Sequence, residues 1–196
     1  MVDTLAPLLT ALAQHLERHE PWPGFAPLFR KPATQGSDPF LAGWLTTAFT
    51  SVREPLAAMV RDALPSLVWR QNPTYRDAAF LARYAYCELV GPNGHVHADH
   101  MSAGLLALAP DTHYPSHAHP AEEVYHLLSG ASAWQRGDEP WTQRLPGARI
   151  EHPSNVPHTM RASSEPLLAL YLWRGAIAAP ARFLPSRRRA AEGSRS

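Results

Sequence analysis

The chain has 196 residues and a formal net charge of +1, with 45% hydrophobic and 18% charged residues. That is enough apolar material for one domain with its own core, and it excludes a disordered polyelectrolyte. The balanced charge excludes the strongly basic surface of a dedicated nucleic-acid binder, and no apolar run approaches the ~20 residues that span a bilayer.

From the N-terminus, Leu5, Leu8, Leu9, Leu12 and Leu16 recur at three- and four-residue steps. This spacing predicts an amphipathic helix over residues 3–19. The first residues carry Asp3 and no basic run, so no secretory signal is expected and a cytoplasmic location follows. Pro21, Pro23, Pro27 and Pro32 predict an irregular connection over 20–37. Helical spacing returns over 38–48 and 55–64, with Ser51 or Glu54 as caps, and a short helix is expected over 75–82. The single cysteine, Cys87, excludes an intrachain disulfide.

The pattern changes after Arg83. Segments 84–90, 103–109, 123–129, 131–136, 148–152, 158–162 and 167–173 are short, apolar or aromatic, and separated by turn residues. They predict an antiparallel sandwich or barrel. The expected division is a helical extension over 1–82, a barrel over 83–185 and a basic flexible tail over 186–196.

Eleven histidines are the residues to follow. His117 and His119 stand two apart, so an extended chain puts both imidazoles on one face. On the next strand Glu123, Tyr125 and Leu127 share one face, and Val124, His126 and Leu128 the other. Two imidazoles, a carboxylate and a phenol thus converge, a set that suits a divalent transition metal. The turn at Pro153 and Asn155 aims His158 toward the same point. The stretch His95, His97 and His100 reads as a solvated loop. His113 and His152 are expected in turns, facing solvent or backing the ligands.

These spacings resemble the cupin motifs. His117, His119, Glu123 and Gly130 match the first motif, with Asp111 in place of its leading glycine. Gly147, Pro153 and His158 match the second, with Asn155 in place of a glycine and Ala162 in place of the final asparagine. The resemblance implies a single cupin, a double-stranded β-helix or jelly-roll barrel with an all-β core, carrying an N-terminal α-helical extension. It also implies one divalent transition metal (iron, zinc or manganese) held by His117, His119, Glu123 and His158.

Within the cupins the sequence resembles the Q-type dimethylsulfoniopropionate (DMSP) lyases. The likeness runs from Trp69, Arg70, Gln71 and Asn72 through Tyr84, Gly91 and Pro92 to Tyr171, Trp173, Arg174 and Gly175, and includes Tyr114, Glu122 and Tyr125. It implies β-elimination from a small zwitterion, giving dimethyl sulfide and acrylate. Tyr125 is then the base, and Tyr114 lines the pocket. Aromatic faces bind a sulfonium, at roughly 0.5–2 kcal/mol per contact; Tyr171 and Trp173 share a strand face suited to this, and Trp134 and Trp69 are further candidates. Monomer or homodimer is expected, with no nucleic-acid or membrane partner. A non-haem iron dioxygenase, an isomerase and a non-catalytic ligand-binding cupin stay open as alternatives.

Overall fold

The computed structural model of the chain describes residues 5–31, 44, 45, 48, 52 and 56–184. The expected helix over 38–48 lies outside these residues except at Trp44, Leu45 and Ala48, which are helical. The expected tail over 186–196 and the candidate caps Ser51 and Glu54 also lie outside them.

The leucine stripe forms helix α1 (Leu5–His19), and its five leucines are all buried. The proline-rich connection contains helix α2 (Phe25–Phe29), which the prolines conceal. Pro27 lies in its first turn, where no backbone N–H is needed for the ladder. Helix α3 (Leu56–Ala63) runs into a 3₁₀ turn (Leu64–Ser66). Helix α4 (Ala78–Leu81) is capped by Asp77, whose Oδ1 accepts from the N–H groups of Ala79 at 2.9 Å and Phe80 at 3.2 Å.

Twelve strands follow among the described residues: β1 (Trp69–Arg70), β2 (Tyr84–Gly91), β3 (Val96–His97), β4 (Met101–Leu108), β5 (His113–Ala118), β6 (Glu122–Ser129), β7 (Ser132–Arg136), β8 (Thr142–Arg144), β9 (Arg149–His152), β10 (His158–Ala162), β11 (Leu167–Arg174) and β12 (Arg182–Phe183). One sheet has the order β1-β2-β4-β11-β6-β9, with β3 on β2; the other has β12-β5-β10-β7-β8. The pairs are antiparallel except β2 with β3. This is the two-sheet barrel with N-terminal helices that the cupin resemblance implies. Strand β1 precedes residue 83 yet extends the larger sheet, through Trp69 opposite Cys87 and Arg70 opposite Tyr86.

The larger sheet is buried on both faces. Ala85, Cys87 and Leu89 of β2, and Val124 and Leu128 of β6, pack in one cluster with α1, α2 and α3. Tyr84, Tyr125 and Leu127 belong to a second cluster between the sheets. This explains the near-continuous apolar character of β4 and β11, since strands covered on both sides lose their polar alternation. Burying a leucine side chain contributes about 1.5–3 kcal/mol, so the helices are part of the fold and close the sheet's outer face. Cys87 sits under them with its thiol pushed up to about 12 by burial, which leaves it unreactive.

Two sequence expectations change here. Trp69 packs in the helix-facing cluster, away from the barrel interior. The stretch of His95, His97 and His100 is only partly a solvated loop: His95 is buried, and Val96–His97 pairs with β2. The turn at Gly91 to Gly94 folds the chain back, with Ala98 N–H donating to Gly91 O at 3.1 Å.

Candidate metal and catalytic site

His117 lies near the end of β5 and faces His158, the first residue of β10, in register. His119 follows in the connection to β6, where Glu123 is the second residue. The turn before β10 is fastened to this connection: Asn155 N–H donates to His119 O at 2.8 Å, and Ser154 Oγ to Pro120 O at 2.6 Å. Asn155 has φ 60° and Asp111 φ 55°. Both positions where a motif glycine is replaced therefore keep a left-handed backbone, which Asn and Asp tolerate best after glycine.

The three imidazoles are oriented in the same way. Nδ1 of His117 contacts Pro115 O at 2.9 Å, that of His119 contacts Ala121 O at 2.9 Å, and that of His158 contacts Val156 O at 3.0 Å. A backbone carbonyl only accepts, so each Nδ1 carries a proton and each ring turns its Nε2 toward the others. The ligand atoms of the three lie within 4.8 Å of one another, all buried. Glu123 Oε2 is 3.0 Å from His119 Nε2 and 3.2 Å from His158 Nε2, and among the described residues His158 Nε2 makes no hydrogen bond of good geometry.

Burial pushes the His117 imidazole well below its usual range, with His158 adding to the effect. Burial also opposes ionisation of Glu123, but His119 and His158 outweigh it and hold the carboxyl well below the carboxylate range. Three imidazole nitrogens and a carboxylate converging in a buried space suit a cation between them. The donors, imidazole nitrogen with one carboxylate oxygen, fit a divalent transition metal such as iron, zinc or manganese.

A cavity of about 520 Å³ opens beside this cluster, with His117 and Glu123 in its wall. The chain has six tyrosines, and Tyr75, Tyr84, Tyr86, Tyr114, Tyr125 and Tyr171 all line the cavity. Tyr125 is buried, and its phenol is raised well above the usual value by burial and by Glu123. Tyr114 stacks on His117 with centroids 4.2 Å apart, and its hydroxyl meets that of Tyr75 at 2.5 Å. Trp173 also lines the cavity. In addition its Nε1 donates to Glu123 Oε1 at 2.5 Å and its ring lies 4.1 Å from that of His119, so it holds two of the candidate ligands in place.

Three sequence readings are revised. Trp134 is not on the cavity wall; it packs behind Tyr125, 5.0 Å between centroids, with Nε1 donating to Ser132 Oγ at 2.8 Å. His152 closes strand β9 instead of sitting in a turn, and stacks on His158 at 4.0 Å. His113 opens β5, with its Nε2 2.9 Å from Thr159 Oγ1. Tyr75 was not singled out in the sequence, because its partner Tyr114 is 39 residues away and no periodicity links them.

The profile of the dimethylsulfoniopropionate lyase family matches residues 6–169. The dimethylsulfoniopropionate lyase DddQ of Ruegeria pomeroyi is 35% identical over 144 residues, 73% of this chain and 69% of that protein. The crystal structure of that lyase superposes with a TM-score of 0.73 at 24% identity, covering 93% of this chain and 97% of the other. A chain from crystal structures of the DMSP lyases RdDddP and RnDddQII gives 0.72 at 27% identity, covering 93% of this chain and all (100%) of that one. Among the described residues no helix is long and apolar enough to cross a membrane. The chain belongs to the dimethylsulfoniopropionate lyase family of carbon–sulfur lyases.

Proposed function

We propose that this protein cleaves dimethylsulfoniopropionate to dimethyl sulfide and acrylate. The observation that carries the reading is the composition of one cavity wall. His117, Glu123, Tyr125, Tyr171 and Trp173 bring a cation-binding cluster, a phenol and aromatic faces together in a chain of this family.

The difficult step is loss of a proton from the carbon beside the substrate carboxylate, a very weak acid. When bound at His117, His119, Glu123 and His158, a divalent cation supplies Lewis acidity that draws charge from a neighbouring carboxylate and favours an ionised phenol nearby. Tyr125 Oη accepts the proton. The electrons of the broken C–H bond form the carbon–carbon double bond, the C–S bond breaks, and dimethyl sulfide leaves with its electron pair. Tyr171 and Trp173 face the sulfonium. Tyr114, held by Tyr75, fixes the wall opposite and excludes water.

The test is headspace detection of dimethyl sulfide, with acrylate in equal amount, from the purified metal-loaded protein under nitrogen. Release without oxygen is expected, and it separates this chemistry from an oxygenase. Absence of product with iron, zinc and manganese each supplied in turn would overturn the reading.

A further inference from the structure

The same cavity holds a second carboxylate that the elimination leaves unused. Glu88 lies on its wall with Tyr86 and Ser102. Strand register sets Glu88 opposite Gly104, Gly104 opposite Tyr171, and Tyr171 opposite Tyr125. Glu88, the Tyr171 ring and the Tyr125 phenol therefore stand in one row across four strands. Gly104 keeps that row open: a Cβ there would lie 1.8 Å from Cys87 O and 2.9 Å from Tyr171 Cε1. At ~4.8 Å per strand, Glu88 is about 14 Å along the sheet from Tyr125, and less between side-chain tips on the concave face.

Among the described residues no arginine or lysine forms an ion pair with Glu88, unlike the other bridged glutamates. Glu20 lies 2.9 Å from Arg149, Glu139 2.9 Å from Arg136, and Glu122 2.5 Å from Arg174. Glu88 is half-buried, and Ser102 Oγ donates to its Oε1 at 3.1 Å. Arg70 acts on it only through space, since Arg70 Nη2 donates to Asn93 O at 3.3 Å. Burial pushes the Glu88 carboxyl above the usual range, as expected for an acid short of counter-charge.

We infer that Glu88 is the docking anion for the positively charged end of the substrate, so that the cavity selects carboxylates carrying a cationic tail. The inference rests on the lyase reading and deepens it. A sulfonium has no hydrogen-bond donor, so it is recognised by charge and by π-faces alone. The row supplies both: the Tyr171 ring lies between the acid–base end and a carboxylate held by hydrogen bonds from Ser102 and Asn93 with no described arginine or lysine in ion-pair contact. A zwitterion held by its carboxylate at the ligand cluster turns its cationic end toward Glu88, whereas an isosteric neutral tail offers that carboxylate no counter-charge.

The test compares two probes without a sulfonium on the metal-loaded protein by calorimetry, with acrylate release monitored alongside. One is 3-(trimethylammonio)propionate, with a permanent cation. The other is 4-methylpentanoate, in which a neutral carbon replaces the sulfonium sulfur. The unaltered protein should prefer the cationic probe. Glu88→Gln should cut that preference by about 10- to 100-fold, with 4-methylpentanoate changed by about twofold or less. Glu88→Asp should retain part of it. An unchanged preference in Glu88→Gln, or equal weakening of both probes, would overturn the assignment. Should Glu88→Gln not fold, Glu88→Asp and Ser102→Ala decide, since a full preference in both removes Glu88 from recognition. The lyase reading stands or falls separately, on dimethyl sulfide release by the unaltered protein.

Discussion

Strand β6 carries two histidine–carboxylate clusters on its opposite faces. On the barrel side, His119 and His158 approach Glu123 Oε2 at 3.0 and 3.2 Å. On the helix side, His126 Nε2 meets Glu20 Oε2 at 2.9 Å, and Arg149 reaches the same carboxylate with Nε at 2.9 Å and Nη2 at 3.2 Å. The burial and the contact distances are alike, but the charge balance is not. Arg149 neutralises Glu20 from within the protein, and His15 Nε2 meets the remaining nitrogen of His126 at 3.2 Å. In the inner cluster each Nδ1 is spent on a carbonyl, and the Nε2 atoms converge beside Glu123 with no arginine or lysine of the described residues paired to it. A closed cluster ties α1 to the barrel; an open one is a receptor for a cation.

The sharpest way to break this comparison is to remove one ligand from the open cluster. His119→Ala should lose most of the bound metal and nearly all elimination, read by elemental analysis beside acrylate release. His126→Ala, on the closed side, should keep its metal. Equal metal content in the two variants would mean that the inner cluster is as self-sufficient as the outer one.

Tyr125→Phe comes next in size. It keeps the ring and its packing and removes the oxygen that accepts the proton. Elimination should fall roughly 10²–10⁴-fold, the usual contribution of a positioned proton-transfer group, with metal content retained. Normal acrylate release would remove Tyr125 from the mechanism and make Tyr114 the next candidate base. Loss of metal together with activity would make Tyr125 part of the ligand set instead.

The two clusters were not equally legible in the sequence. The open one lies within two short motifs, so His117, His119, Glu123 and His158 could be picked out by spacing, and the strand alternation separated Glu123 and Tyr125 from His126 in advance. The closed one joins Glu20, after α1, to Arg149 on β9, 129 residues away, and no local pattern carries that. The same limit hid Tyr75. Glu88 did leave a signal, as the one charged residue of β2, but charge on a strand reads by default as a solvent-facing position. Strands β1, β3, β8 and β12, of two or three residues, are too short for alternation to register. Trp134 is a candidate for the sulfonium by residue type alone; its indole N–H finds Ser132 on its own strand, and its ring packs behind Tyr125.

On the closed side, Glu20→Gln tests the tie between α1 and the barrel. The Glu20 side chain is fully shielded, so the change removes the buried one of the two carboxylates that Arg149 meets and leaves it with the half-exposed Glu151. A loss of about 1–3 kcal/mol is expected, read as a lower denaturation midpoint. Metal content should not change. If metal fell with stability, the two faces of β6 would be coupled and the contrast between them would weaken.

The smallest effect expected is the closed cluster's share of the pH dependence, beside that of the buried His117 imidazole. Burial lowers the His15 imidazole to about 4, with His126, His19 and Arg18 adding to the shift. Burial lowers His126 too, partly offset by Glu20. For Glu20 burial opposes ionisation, but hydrogen bonds from Arg149, the Trp22 N–H and His126 outweigh it and hold the carboxyl below its usual range. Beyond these, Glu151 pairs with Arg149 at 3.1 Å. The contacts are satisfied with both rings neutral: His126 Nε2–H donates to Glu20, and His126 Nδ1 accepts from His15. Above the ordinary imidazole value of about 6.5 neither the folded nor the unfolded chain protonates His15, so it contributes no pH dependence. Between about 6.5 and about 4 the unfolded chain takes up a proton that the folded ring refuses, and stability falls as pH falls. The contribution of Glu20 is lost lower still, as pH drops below the ordinary carboxylate range. His15 is partly exposed, so solvent screening limits its share to about 1 kcal/mol. Denaturation midpoints of the unaltered protein should therefore drop between pH 7 and pH 5, and His15→Gln should flatten that slope while leaving metal content alone. Parallel slopes in the two proteins would place the acid sensitivity outside the closed cluster.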